Sequence, residues 1–185
     1  MKPIWSVKDG LLSCAGKGFG FLRYEKAFAD FVLHDEYRMS PKGNSGVGIR
    51  TVPYVGSFQT RPSMAAYEIQ LLDDDHPNYA KLKPYQYTGS IYGVVPGERG
   101  HTKPPGEWNR MQIKCEGPWV SVWTNGVLVA HGNMDREEKL KGRPRSGYVG
   151  LQNHHSTLMF RDIAIKAPGT APTASARPRT GAVTP

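Results

Sequence analysis

Alternating apolar and polar positions divide the chain into short segments of strand length. Residues 67–73 read YEIQLLD. Because successive side chains of a strand point to opposite faces, Glu68 and Gln70 share one face while the aromatic and aliphatic side chains share the other. Two like-facing residues lie roughly 6.5–7 Å apart, about the span over which two side chains can hold one small polar ligand. The segment is therefore predicted to be a strand with one apolar and one chemically equipped face.

The same alternation of apolar and polar residues, interrupted by turn sequences, predicts several further strands. Asn125-Gly126 is the strongest hairpin signal of the chain, and Lys8-Asp9-Gly10 marks another hairpin within residues 5–13. No window sustains a long amphipathic helix, so the sequence predicts an all-β sandwich of antiparallel sheets. The other predicted strands cover residues 31–38, 47–50, 108–116, 120–124, 127–131, 148–154 and 158–166.

Alternation also predicts which polar residues accompany the central strand. In the strand before it the aliphatic side chains face the core, which places Arg50 on the same surface as Glu68. In the strand over 148–154 the same rule puts Gln152 and His154 together on one face. These side chains are therefore candidates for a shared site.

Composition indicates one domain followed by a tail. The chain has 185 residues, of which 38% are hydrophobic, with 21 glycines and 15 prolines. That is enough for one core in a turn-rich domain, predicted to span residues 1–166. From Ala167 onward, Ala, Pro, Thr, Gly and Arg replace aliphatic and aromatic residues. Such a segment cannot bury enough apolar surface to offset its ordering entropy, so residues 167–185 are predicted to be disordered.

The net charge does not predict a nucleic-acid partner. It is +8 for the chain, but residues 1–165 contain 21 basic and 16 acidic residues, or +5, scattered along the sequence. No nucleic-acid signature accompanies them. No signal peptide or membrane span is evident either, so no membrane partner is expected. Taken as written the sequence predicts a cytoplasmic protein, or a periplasmic or secreted one if an N-terminal segment is missing. The oligomeric state is left undetermined.

No cofactor is indicated by the sequence. Cys14 and Cys115 lie far apart without ligand-like neighbours, so each is predicted to be a buried free thiol. The glycines at 16, 18 and 20 lack the Lys-Ser/Thr of a phosphate-binding loop. Asp73-Asp74-Asp75 could contribute to a calcium site, but calcium takes about 6–8 oxygen ligands. A solvated acidic loop is the preferred interpretation.

A set of ordered motifs resembles one protein family. The motifs are NSGVGIR at 44–50, YEIQLLD at 67–73, TGSIYG at 88–93, KPPGEWN at 103–109, NG at 125–126, GLQNH at 150–154 and FRDI at 160–163. Over nearly all of residues 5–166 the chain strongly resembles the 3-keto-disaccharide hydrolase family. The resemblance implies a concanavalin A-like jelly-roll sandwich of two antiparallel sheets that acts on an oxidised di- or oligosaccharide.

One feature of the family pattern is absent. Its members usually begin with a strand around Phe-Asn-Gly-Lys-Asp-Leu-x-x-Trp, and no such motif precedes Trp5. That strand would be expected beside the last one, so its absence predicts an unpaired edge along residues 158–166. Either the start is truncated or the edge is covered in another way.

Conventional glycosidase chemistry fits these residues poorly. It needs two carboxylates about 5–5.5 Å apart for retention or about 6.5–9.5 Å apart for inversion. Lectin-fold glycanases supply them from Glu-x-Asp-x-x-Glu on one strand, and the corresponding residues here are Glu68, Gln70 and Asp73. The middle acid is replaced by an amide, and an unbulged strand would point Glu68 and Asp73 apart.

A 3-keto sugar requires less of the protein, because its carbonyl acidifies the neighbouring C2–H. The site then needs a base, a group that stabilises the enolate oxygen, and a donor for the leaving group. Either Glu68 or His154 is hypothesised to be the base or acid, with Arg50 and Tyr92 as oxyanion or leaving-group donors. The substrate-binding candidates are Gln70, Asp73, Trp108, Asn109 and Gln152, with Trp108 stacking on a sugar face.

Simpler roles remain open for the same residues. Glu68 and Arg50 could form a structural ion pair, and His154 could be a structural or surface histidine. Tyr92 could anchor its hydroxyl on the backbone, and the residues Trp108, Trp119 and Trp123 could belong to the core or its rim. A carbohydrate-binding module of the same fold is the alternative function, and a degenerate interaction domain is a weaker one. An enzyme should show a deep, desolvated pocket converging on Glu68 and a perturbed titration of Glu68 or His154. A binding module should show a shallow groove lined by aromatic residues and no perturbed acid.

Overall fold

Two antiparallel sheets packed face to face form the body of the protein. The computed structural model describes residues 4–53 and 67–168. Its strands are β1 (Trp5–Lys8), β2 (Leu11–Ala15), β3 (Phe19–Phe28), β4 (Phe31–Met39), β5 (Asn44–Thr51), β6 (Tyr67–Leu72), β7 (Asn109–Glu116), β8 (Trp119–Thr124), β9 (Val127–Asn133), β10 (Gly147–His154) and β11 (Thr157–Lys166). A large sheet has seven strands in the order β1-β2-β11-β4-β7-β8-β9, and a small sheet has four in the order β3-β10-β5-β6. The predicted all-β jelly-roll sandwich is confirmed.

The core lies between the sheets and follows the alternation read from the sequence. Along β4 every second residue is buried, and Met111 and Ile113 of β7 face inward. Val47, Ile69 and Leu151 meet them from the small sheet. Removal of these aliphatic side chains from water, at roughly 25 cal/mol per Å², drives the two sheets together. The polar residues that alternate with them on the small sheet consequently face away from the core.

Both predicted hairpins are present, with two-residue turns of positive φ. The φ angles are 51° and 76° at Asp9 and Gly10, and 51° and 89° at Asn125 and Gly126. Positive φ at both positions is the type I′ geometry that matches strand twist. Strand β2 of the first hairpin also pairs with β11. The edge of the last strand is therefore covered in another way over Thr157–Phe160, by the N-terminal hairpin.

Strand β3 was not predicted from the sequence. It pairs with β10 at the edge of the small sheet, and most of its residues are exposed. A strand exposed on both faces needs no alternation of apolar and polar residues, so it leaves no period-two signal. Its register nevertheless places Phe19 opposite His154 and Phe21 opposite Gln152. The unpredicted strand thus borders the candidate residues.

The cysteines and the helical content match the sequence. Cys14 and Cys115 are free and buried, as predicted. Helical structure is limited, over the described ranges, to single 3₁₀ turns at Pro77–Tyr79, Pro84–Gln86 and Glu138–Leu140. None of the helices described is long and apolar enough to span a membrane. The predicted tail lies outside the described residues from residue 169 onward.

Candidate active site

On the outer face of the small sheet, two polar side chains meet above strand β5, which has two glycines on this face. Glu68 of β6 and Gln152 of β10 come from opposite sides of β5, so their strands lie roughly 9–10 Å apart. Gly46 and Gly48 of β5 lack side chains, and Gln152 Nε2 donates a hydrogen bond to Glu68 Oε1 at 3.0 Å. A Cβ atom at Gly46 would lie 2.7 Å from that oxygen. The contact therefore depends on glycine at position 46.

The environment of Glu68 changes its acidity. The residue is only 8% exposed, and burial raises its pKa to about 7, opposed in part by the hydrogen bond from Gln152. Burial acts in this direction because the ionised form loses more hydration than the neutral form. At neutral pH both forms of Glu68 are populated, so the carboxyl can accept or donate a proton. A pKa near the working pH is what proton-transfer catalysis favours.

Two buried amides lie next to Glu68. Gln70 Nε2 donates to Asn44 Oδ1 at 2.9 Å, which fixes the orientation of that amide. The oxygen of the other amide, Gln152 Oε1, is buried and has no hydrogen-bond partner within the described residues. Buried amide oxygens normally accept a hydrogen bond. Gln152 therefore holds Glu68 with its nitrogen, while its buried oxygen remains an acceptor without a partner among the described residues.

His154 lies two residues beyond Gln152 on the same face of β10. Phe19 of β3 contacts its imidazole edge-on, with ring centroids 4.8 Å apart. Burial lowers the pKa of His154; a hydrogen bond with its own backbone opposes this shift, and the neighbouring His155 adds to it. A neutral imidazole has a single N–H. The hydrogen bond to its own backbone engages that proton in His154, so the other ring nitrogen is left as an acceptor.

The aromatic ring of Phe21 borders the site, and the sequence did not predict it there. Cβ atoms at Gly48 and Gly150 would each lie 3.4 Å from the Phe21 ring, so the ring packs over the glycine backbone beside Glu68. An aromatic ring in this position offers an apolar surface to the C–H face of a sugar. Glycines within strand patterns were the available signal, because they indicate the close approach of another group.

Tyr92 lies on the other side of Glu68, in a short segment that pairs with β6. Its backbone N–H donates to the Glu68 carbonyl at 2.9 Å, next to an antiparallel bridge between Ile69 and Ile91. This pairing brings the Tyr92 backbone next to Glu68. Gln86 Nε2 donates to the Tyr92 hydroxyl oxygen at 3.0 Å, which leaves the hydroxyl proton available for donation.

Arg50 does not lie on this surface, and its predicted placement is wrong. Its φ angle is 50°, and the register between β5 and β10 shifts at this point. Such a bulge breaks the alternation on which the prediction relied. The guanidinium donates to the carbonyls of Ala29 at 2.9 Å and Gly117 at 2.8 Å, and it pairs with Asp30 at 3.1 Å. The alternative ion pair with Glu68 is consequently not formed.

Asp73 and Asn109 are also held away from the Glu68 group. The Asp73 carboxylate accepts the backbone N–H of Lys42 at 2.8 Å, at the end of β6. The Asn109 side-chain oxygen accepts the backbone N–H of Lys103 at 2.7 Å, at the start of β7 in the large sheet. Both side chains connect loops to strand ends. Their assignment to a shared substrate site with Glu68 is therefore corrected.

Trp108 belongs to a different surface of the molecule. The guanidinium groups of Arg161 and Arg38 lie 4.1 Å and 4.9 Å from the centre of its ring, on the outer face of the large sheet. Cation–π contacts of this kind hold the ring in place. Because the two sheets and the core separate this face from Glu68, Trp108 cannot stack on a sugar bound at Glu68.

The acidic run after β6 is engaged in local contacts. Asp74 Oδ1 accepts the backbone N–H and the hydroxyl of Thr88, both at 2.9 Å, and Asp75 pairs with Arg99 at 3.7 Å. Across residues 4–53 and 67–168, His, Cys, Asp and Glu residues form no group of three or more that could hold a metal ion. The contacts of Asp74 and Asp75 fix the path of the loop between β6 and β7.

Several known proteins are similar to this chain in sequence or in fold. A family described as the 3-keto-alpha-glucoside-1,2-lyase-like domain matches residues 2–166. A 3-keto-disaccharide hydrolase from Bacteroides thetaiotaomicron is 25% identical, over 88% of this chain and 69% of its own length. A crystal structure from Parabacteroides distasonis, described as a candidate glycosyl hydrolase, is 27% identical with a TM-score of 0.78 and covers 89% of this chain and 90% of its own. A carbohydrate-binding module from Bacillus subtilis, 10% identical with a TM-score of 0.62 over 88% of this chain and 91% of its own, shares the fold alone.

Proposed function

We propose, on the premise that this chain belongs to the 3-keto-alpha-glucoside-1,2-lyase-like domain family, that it cleaves 3-keto-glycosides by elimination followed by addition of water. The observation that carries the proposal is the buried Glu68 carboxyl, whose pKa of about 7 suits proton transfer. Gln152, which is hydrogen-bonded to Glu68, and His154 on the same face supply the remaining polar groups. Asp73 is bound to a backbone amide elsewhere, which disfavours a mechanism with two carboxylates.

Glu68 is assigned as the base that removes the C2 proton of the sugar. In its ionised form it is poorly hydrated, which makes it a stronger base than an exposed carboxylate. His154 lies beside the C3 oxygen, where negative charge develops. Its N–H leaves its own backbone carbonyl to donate a hydrogen bond to that enolate oxygen. Tyr92 donates its hydroxyl proton toward the leaving oxygen at C1, and Gln152 accepts a sugar hydroxyl through Oε1. Phe21 supports the apolar face of the ring.

The steps balance without a cofactor. The C2–H bond breaks, its proton passes to Glu68, and its electron pair forms the enolate with the C3 carbonyl. The enolate then collapses to a C1–C2 double bond conjugated with the carbonyl, while the C1–O bond breaks and the leaving oxygen takes a proton. Water adds to C1, and a proton returns to C2. The net reaction is hydrolysis of the 3-keto-glycoside to a 3-keto sugar and an alcohol.

Solvent isotope incorporation tests this chemistry directly. We expect the purified chain to release nitrophenol from a nitrophenyl 3-keto-glucoside but not from the unoxidised glucoside. In D₂O the 3-keto product should carry one deuterium at C2, beyond the spontaneous exchange measured without protein. A substrate deuterated at C2 should react more slowly if proton removal limits the rate. Because Glu68 must be ionised, kcat/KM should rise with pH through about 7.

Matched variants test the residue assignments. Glu68→Gln should lower kcat/KM by at least about 100-fold, within the range that general base catalysis supplies. Glu107→Gln removes an exposed carboxylate elsewhere and should leave turnover unchanged. Equal cleavage of the oxidised and unoxidised glucosides without deuterium at C2 would contradict the elimination mechanism. Binding of both sugars with no cleavage would support the carbohydrate-binding alternative instead.

A further inference from the structure

A second aromatic surface lies on the side of the molecule opposite Glu68. The outer face of β7, β8 and β9 in the large sheet carries Trp119, Trp123 and His131 around an open cleft of about 460 Å³. The proposed reaction uses none of these residues. We call this face the β8 surface. Its chemistry can be examined independently of the Glu68 site.

Two aromatic rings of the β8 surface, those of Trp119 and His131, hold each other in a fixed orientation. The His131 imidazole lies parallel to the Trp119 indole, with centroids 4.6 Å apart and an angle of 3° between the rings. The imidazole is in turn held by Ser121, whose hydroxyl lies 2.8 Å from Nδ1. Trp119 is still 37% exposed. A ligand that stacks on the indole therefore meets a pre-oriented ring, and little side-chain entropy is lost on binding.

The polar groups beside these rings favour a neutral ligand that forms hydrogen bonds. Lys114 and Glu116 border the cleft and form an ion pair at 2.8 Å, so the rim has one cation and one anion. A charged ligand would be attracted by one of them and repelled by the other. Sugar hydroxyls both donate and accept hydrogen bonds, and a pyranose also presents an apolar C–H face to an indole.

The length of the β8 surface exceeds one sugar ring. Trp123 lies four residues beyond Trp119 on the same face of β8, a separation of roughly 13 Å along the strand. Leu128, opposite Trp123 on β9, is 47% exposed and extends the apolar area at this end. A ligand that contacts both indoles must therefore span several linked rings.

We propose that the β8 surface is a second carbohydrate site, which binds a neutral oligosaccharide by stacking on Trp119 and Trp123. The proposal does not rest on the reaction assigned to Glu68, because the bound chain need not be oxidised. Its effect would be to hold the chain near a glycan while the opposite face acts on a released or oxidised sugar.

Binding to unoxidised hexasaccharides tests this proposal. Cellohexaose, maltohexaose and laminarihexaose would be titrated separately into the full chain carrying Glu68→Gln, with tryptophan fluorescence and indole N–H resonances as readouts. At least one should bind and perturb the resonances of Trp119 and Trp123. Adding Trp119→Ala should weaken that binding about tenfold, a typical effect of removing an aromatic stacking partner. Trp108→Ala, which changes an indole between two arginines on the same sheet, is the matched control and should bind normally.

Several results would overturn the proposal. One is the absence of binding to all three hexasaccharides, and another is unchanged affinity after Trp119→Ala. A third is a dimeric chain that becomes monomeric with Trp119→Ala, since the β8 surface would then be a protein interface. Turnover of a 3-keto-glycoside by the single variant Trp119→Ala is measured separately. Failure of binding with normal turnover rejects the second site and leaves the Glu68 proposal standing.

Discussion

Two buried carboxyl groups show how position decides what a residue can do. Burial raises the pKa of both Glu68 and Asp35 to about 7, with a smaller contribution from Glu36 at Asp35. Glu68 lies on an outer face and is held by Gln152. Asp35 points into the core from β4, fully buried, and neither of its oxygens has a hydrogen-bond partner within the described residues. Asp35 therefore costs stability, whereas Glu68 is placed for chemistry.

Replacing Asp35 should make the fold more stable above neutral pH. Its folded-state pKa lies above the ordinary value of 3.8, so the folded protein holds this proton more tightly than the unfolded chain. The stability linked to it is fully present below about pH 4 and is lost as pH rises through about 7. Asp35→Asn should raise the free energy of unfolding at pH 8 by about 2–4 kcal/mol, with little change at pH 4.

Urea unfolding from pH 4 to pH 8 measures this difference. The pKa of Glu68 is also raised in the folded protein, so some loss of stability with rising pH should persist in Asp35→Asn. The double variant with Glu68→Gln should remove most of the remaining slope. Identical pH dependence in the wild type and Asp35→Asn would show that Asp35 does not carry the proton at neutral pH.

Among the strands, β5 makes the candidate site possible because two of its residues on the outer face, Gly46 and Gly48, are glycines. Glu68 and Gln152 belong to strands that do not touch, and they meet because Gly46 leaves the space between them empty. Phe21 reaches in from the edge strand over Gly48 in the same way. The glycines of β5 therefore serve the site, although glycine weakens a strand interior.

The variant Gly46→Ala should reduce activity more than stability. The added methyl group would lie 2.7 Å from Glu68 Oε1 and 2.9 Å from Glu68 Cγ, both on a flexible side chain that can move. Moving it breaks the hydrogen bond from Gln152. We expect kcat/KM on a 3-keto-glycoside to fall at least about tenfold, while the free energy of unfolding changes by about 1 kcal/mol or less.

Gly150→Ala on the same face is the control for Gly46→Ala. Its added methyl group would meet Phe21 at 3.4 Å, an ordinary contact. Turnover should therefore fall much less than in Gly46→Ala. Equal loss of activity in both variants, or no loss in either, would contradict this prediction. The reaction would then not depend on the contact between Glu68 and Gln152.

At the scale of the whole molecule, Arg50 joins the ends of the two sheets. It arises from β5 of the small sheet, and its guanidinium donates to Ala29 in the β3–β4 connection and to Gly117 in the β7–β8 turn of the large sheet. Its side chain is fully buried, while its ionic partner Asp30 remains partly exposed. Arg50 therefore satisfies two backbone carbonyls that would otherwise lack donors.

Arg50→Met should destabilise the fold by about 2–4 kcal/mol, because buried carbonyls and Asp30 would lose a charged donor. Thermal and urea unfolding measure the loss. Arg110→Met, which removes an exposed arginine paired with Glu36, should cost less than about 1 kcal/mol. Comparable losses in the two variants would contradict the structural role given to Arg50.

Local patterns in the sequence are sufficient to predict most strand segments and the two hairpin turns. Side-chain alternation identified the polar faces of β6 and β10, and the turn at Asn125-Gly126 predicted a hairpin, because both signals depend on residues close together in the chain. It also placed Glu68, Gln70, Gln152 and His154 on outward faces. The ordered motifs identified the family for the same reason, since they are short and contiguous.

Tertiary structure alone decided which of these faces meet. A bulge at Arg50 turned its side chain away from Glu68, and the strand order moved Trp108 to the opposite side of the sandwich. The edge strand β3, which has no alternation, brought Phe19 and Phe21 to the site. Strand pairing joins residues far apart in sequence, and a one-residue bulge reverses a side chain's direction. Neither effect leaves a local pattern from which it could be predicted.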